Sequence, residues 1–123
     1  MDGKGAEISD LVITSLPYLI VLFESKNKVL THSLLDKNKV INSLSEIIYN
    51  LLLSNFNLSD QEKRRLKRHK KYLYILGKKQ HLKQKRGILK SQQGGGVIFS
   101  VLSTTLAPIL LTLKQNGSAN HRE

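Results

Sequence analysis

Hydrophobic positions fall into four main runs along the chain. Residues 8–23 are apolar and broken by Pro17. Ser15 can cap a helix with Pro17 in its first turn, where a missing N–H costs nothing. Leu16, Leu19, Ile20 and Phe23 then share one face. Ser25 to Thr31 is mostly polar and reads as a connection, with a short helical turn near Ser33–Asp36. Residues 38–54 carry the clearest helical period: Val40, Ile41, Leu44, Ile47, Ile48, Leu51 and Leu52 recur at i, i+3, i+4, i+7. Asn42, Ser43, Ser45, Glu46 and Asn50 form the opposite, polar face. A stripe this wide needs a partner, and the 16–23 helix is the natural one.

Asn55-Phe56-Asn57 interrupts the pattern. Ser59-Asp60-Gln61-Glu62 then has the spacing of a capping box, with two acids at the positive end of the helix dipole. The spacing predicts one helix from Asp60 to Leu76. Leu66, His69, Tyr72, Leu73 and Leu76 gather on its inner side at about 100° per residue. Gly77 can end it. Residues 78–91 resume as a second basic helix or as a continuation of the first, with Leu82, Ile88 and Leu89 as the only apolar anchors. Gln92-Gln93-Gly94-Gly95-Gly96 resists helix and strand alike. Val97–Leu113 follows, uncharged, with Pro108 and the hydroxyl cluster Ser103-Thr104-Thr105. The ends, 1–7 and 114–123, are polar.

These elements predict an all-α protein. A helical domain spans 8–90, with a basic helical region over 60–90. A Gly-rich hinge covers 91–96, a hydrophobic segment 97–113 and a polar tail 114–123. The 16–23 run is too short to span a bilayer and lacks the features of a signal peptide. The 97–113 segment is at the lower limit for spanning. It reads as a buried helix, a membrane-inserting segment or a partner-docking segment; the glycines before it favour a detachable unit.

Charge sharpens this picture. The 123 residues carry a formal net charge of +11, from 20 Lys and Arg against nine Asp and Glu. Thirteen of those cations and only two of the acids lie in residues 60–90, and elsewhere the charges cancel. A charge so localised points to a polyanionic partner, nucleic acid or an acidic membrane surface. The candidate binding residues are Lys63, Arg64, Lys67, Arg68, Lys70, Lys71, Lys78, Lys79, Lys83, Lys85 and Arg86. A helix can lay such side chains along a phosphate backbone and release counterions. The basic face has few Asn or Gln side chains and no zinc-finger or homeodomain spacing, so sequence-independent binding is expected, first of double-stranded DNA. The run KRRLKRHKK also fits a nuclear import signal. Tyr72 is expected to complete the apolar stripe, while Tyr74 is open to core or to base stacking.

Other chemistry is poorly supplied. With no Cys, disulfides, a thiol nucleophile and Cys-ligated zinc are excluded. His32, His69, His81 and His121 show no metal-ligand spacing. No nucleophile elbow, P-loop or paired carboxylates occur. The expectation is a non-enzyme without cofactor or metal. Two further readings stay open: a membrane-active protein whose 97–113 segment inserts while the basic region grips anionic headgroups, and a helical scaffold or oligomerisation module.

The order of these parts carries a resemblance. It comprises Leu58-Ser59, a Lys/Arg-rich helix, Leu82-Lys83-Gln84-Lys85-Arg86, Gln93-Gly94-Gly95-Gly96 and an uncharged Leu/Ile-rich segment with Pro. This order resembles the small basic proteins of Polinton (Maverick) self-synthesising DNA transposons and adintovirus-like elements of animals. Gly96-Val97-Ile98-Phe99 departs from the Gly-Phe-Leu-Pro start of that family's tail. The resemblance implies a virion-type role, similar to the basic core proteins of adenoviruses that condense packaged DNA. It also implies contact with capsid proteins, and location in the virion and host nucleus. Gly94, Gly95 and Gly96 resemble the Gly-Gly-containing sites cut by adenovirus-type cysteine proteases, although Gln92 stands where those favour an aliphatic residue. The bland alternative is a flexible linker.

Overall fold

A computed structural model describes residues 9–53, 56, 58–78, 81–92 and 96–121. Among the described residues there are seven helices and no strand. They are α1 (Asp10–Glu24), α2 (Lys28–Leu35), α3 (Asn38–Leu52), α4 (Asp60–Arg68), α5 (Lys70–Gly77), α6 (Leu82–Gln92) and α7 (Val97–His121). The protein is a small helical bundle, as its periodicity predicts.

α1 starts earlier than expected. Ser9, not Ser15, precedes its first turn, and Pro17 sits mid-helix. The proline removes one helical hydrogen bond and costs about 3 kcal/mol. Val12, Leu16, Leu19 and Leu22 all bury on one side of the helix, which offsets that cost. Ser15 is buried in the helix, and its hydroxyl finds no partner among the described residues. Ser9 ties the start of α1 to α3: its N–H and its hydroxyl donate to the two Glu46 carboxylate oxygens, at 2.8 and 2.7 Å.

α2 covers most of the segment expected to be a connection. Its start is set by Asn27, whose Oδ1 accepts the Leu30 N–H at 3.1 Å. α3 is the central element, packing against α1, α2, α5 and α6. The predicted stripe from Val40 to Leu51 is buried. So are Ser43, Ser45 and Asn50 from the face expected to be polar, because α3 is surrounded by other helices. The Ser43 hydroxyl donates to the Lys39 carbonyl at 2.6 Å, and Asn50 donates to the Glu46 carbonyl at 2.9 Å. Satisfied within their own helix, these two side chains can be buried without an orphaned donor.

The single helix expected from Asp60 to Leu76 is two. His69, at φ −113° and ψ 24°, leaves the helical region, and its N–H donates to the Leu66 carbonyl at 3.1 Å, three residues back, in place of the i−4 bond of a continuing helix. α5 ends at Gly77 against α3. A Cβ there would stand 3.3 Å from the Tyr49 backbone nitrogen, so the close approach favours glycine.

α7 is not detached. Ile98, Val101, Leu102, Leu106 and Leu110 bury along its inner face, and the helix packs on α1, with α6 and α4 also touching it. Phe99 meets Phe23 with ring centroids 5.2 Å apart. The Ser103 hydroxyl donates to the Phe23 carbonyl at 3.3 Å. Of the three readings of 97–113, the buried helix describes its place in the fold.

Candidate nucleic-acid interface

The basic surface is built on α4 and α5, and its start is fixed by local chemistry. The Ser59 hydroxyl accepts the Glu62 N–H at 3.1 Å, and the Glu62 carboxylate accepts the Ser59 N–H at 2.9 Å. This reciprocal pair is the predicted capping box, so both acids serve the helix start. Leu66 is the buried anchor of α4, while Leu73 and Leu76 anchor α5. With those side chains inward, Lys63, Arg64, Lys67, Arg68, Lys70 and Lys71 all face outward and are exposed. None of the six makes an ion pair or side-chain hydrogen bond to another described residue. Eight cations against two acids occupy residues 60–78. α4 is about 14 Å long, an axial length over which one DNA strand presents about four phosphates.

α6 contributes less than its composition promises. Lys83 is exposed, but Lys85 is only 1% exposed. Its stem passes through the core edge and its ammonium donates to the Lys78 carbonyl at 2.6 Å. Burial pushes the Lys85 ammonium below the ordinary lysine range. Arg86 is turned toward α2. Its Nε donates to the Leu35 carbonyl at 2.9 Å, and its terminal nitrogen donates to the Asp36 carbonyl at 3.4 Å and to Asn38 Oδ1. Lys90 pairs with the Asp36 carboxylate. That hydrogen bond, helped by the Lys90 and Arg86 charges, holds Asp36 below the usual carboxylate value.

Lys85 and Arg86 therefore leave the set of outward candidates. α6 has too few apolar residues to dock by a full stripe, so a lysine stem completes its buried side. The arginine fork satisfies carbonyls at the end of α2 that no helical N–H can reach. Sequence spacing does signal this: Lys85 lies at i+3 from Leu82 and at i−4 from Leu89, on the inner face.

Lys78 is exposed, with its ammonium 5.5 Å from the centre of the Tyr74 ring. Lys79, Gly94 and Gly95 lie outside the described residues. The Gly96 carbonyl accepts the Ser100 N–H at 3.1 Å in the first turn of α7. Tyr72 is 46% exposed and does not join the stripe as expected; Tyr74 is 59% exposed. At about 100° per residue Tyr72 lies a full 100° round the helix from Leu73, at the edge of the stripe that Leu73 and Leu76 bury.

No three His, Asp or Glu side chains cluster as metal ligands among the described residues. No family model, curated protein or solved structure matches the chain.

Proposed function

We propose that the chain is a non-enzymatic, sequence-independent nucleic-acid-binding protein whose α4–α5 surface tracks a phosphate backbone. One observation carries this reading: six outward cations on two adjoining helices pair with no acid among the described residues. Unpaired surface charge at this density gains most from a polyanion, through release of condensed counterions. Two acids confined to a helix cap leave the surface uniformly positive. The resemblance to transposon-encoded virion proteins makes packaged DNA the polyanion. It adds a condensing or capsid-linking role in the particle and passage through the host nucleus.

The test replaces Lys63, Arg64, Lys67, Arg68, Lys70 and Lys71 together by Gln, a good helix former. Binding should weaken alike on unrelated sequences. The log–log salt slope should flatten by about 0.9 for each duplex phosphate that the variant no longer neutralises. A variant that keeps the helical fold, the affinity and the slope would refute the proposal.

A second reading, membrane activity, draws on α7. Val97–Gln115 has a mean hydropathy of 1.8 and is long and apolar enough to cross a membrane, with one third of it buried in the bundle. Insertion would require α7 to leave α1, which weighs against this reading for the assembled fold.

A further inference from the structure

The tyrosines are distributed in a way that phosphate binding does not explain. The chain has no Trp and only four Tyr, so aromatic surface is scarce. Yet three of the four stand exposed: Tyr49 at 51%, Tyr72 at 46% and Tyr74 at 59%. Two of these are on α5, and the third is on the part of α3 that meets the end of α5. The Tyr49 backbone lies against Gly77, and Tyr49 and Lys78 line one cleft of about 370 Å³. Tyr49, Lys78 and Tyr74 thus follow one another across the surface.

The pattern around α5 is interleaved. With Leu73, Leu76 and Gly77 turned inward, its outer arc runs Lys70, Tyr74, Lys71, Ile75, Tyr72 at about 100° per residue. Two cations and two rings share that arc, with Ile75 between Lys71 and Tyr72. The Tyr72 and Tyr74 side chains make no hydrogen bond to a described residue. The core has no use for these rings, and leaving apolar faces in water is unfavourable.

We propose that α5 is a base-stacking platform beside the cationic α4, so that this surface prefers single-stranded nucleic acid to duplex. The inference rests on the nucleic-acid reading given above and refines its ligand. In a duplex the base faces are hidden between neighbours, and an exposed ring meets only sugar and phosphate. A single strand offers every base face. Stacking on an aromatic side chain is sequence-tolerant because each base has a π-face, and nearby cations hold the backbone. The Lys78 ammonium lies over the Tyr74 ring, 5.5 Å from its centre; a base stacking on that face would displace it, and the long flexible stem can then carry it to the nucleotide's phosphate.

The experiment measures binding of the full chain to a fluorescent oligothymidylate and to a duplex of equal length across a salt series. Tyr72→Gln, Tyr74→Gln and the two Tyr→Phe variants are compared with wild type. The single strand should bind tighter than the duplex. Each Gln variant should lose about fivefold to a hundredfold on the single strand. It should keep its duplex affinity and its salt slope, and Phe should restore binding. Equal affinity for the two ligands, or Gln variants unchanged on the single strand, overturns the platform while salt-dependent binding stands. Failure of the wild type to bind either ligand overturns both proposals.

Discussion

Ending the chain after Gly95 removes α7, and the structure gives the size of the effect. Ile98, Val101, Leu102, Leu106 and Leu110 are each no more than 6% exposed. Five buried apolar side chains at about 1.5–3 kcal/mol each come to roughly 8–15 kcal/mol. A compact unfolded chain already buries some of this surface, which trims the figure by about 10–40%. The loss still matches the whole stability of a typical domain, about 5–15 kcal/mol. The shortened chain also exposes the side of α1 that α7 covers. It should therefore lack a cooperative thermal transition by circular dichroism and should bind a hydrophobic dye at room temperature. A cooperative melt within a few degrees of the full chain would refute the idea that α7 belongs to the core. Proteolysis at Gly94–Gly96, if the site is used, would then dismantle the bundle if α7 departs after the cut.

Two other expectations follow from single interactions. Lys85 binds its proton less tightly folded than unfolded, so stability climbs between its lowered folded pKa and the ordinary 10.5, and the burial penalty is fully present below that window. Lys85→Met should melt higher than wild type at pH 7, with an advantage that shrinks towards pH 10.5. A lower or pH-independent melting difference would contradict this. Ser59→Ala removes the hydroxyl half of the capping box and should cost about 0.5–2 kcal/mol, read as a melting point several degrees lower. An unmoved melting point would show that the cap adds nothing to the start of α4.

The legible parts of the sequence were those in which local preference and packing agree. The α3 stripe, the Ser59–Glu62 cap and the Gly77 stop each appear where spacing puts them. The misses have a common cause in tertiary burial. Pro17 reads as a helix start, but the stripe from Val12 to Leu22 carries the helix through it. Ser43, Ser45 and Asn50 read as a wet face, but neighbours arrive from several directions. Of α2 only the end was expected, as a turn near Ser33–Asp36, although Asn27 is a good cap, because a single capping residue before a short polar stretch is a weak signal. In the candidate site, the outward cations of α4 and α5 followed from composition and period. The inward turn of Lys85 was there to read in its spacing to Leu82 and Leu89, but counting charge passes over it, and nothing in the spacing shows that Arg86 turns to the end of α2. Gly-rich spacing suggested a detached tail, yet glycine before a helix says nothing about what that helix covers.

The pairing of α7 with α1 also sets the order in which this protein can fold during synthesis. α1 leaves the ribosome first among these helices, and the helix that covers its second side is translated last of the seven. Val12 and Leu110 belong to one core although nearly a hundred residues separate them. Closing so long a loop carries an entropic cost before any packing repays it. The nascent chain therefore carries an uncovered apolar strip on α1 until α7 emerges. Until then that strip can meet other nascent chains, so the interval before α7 arrives is when this protein is most open to aggregation.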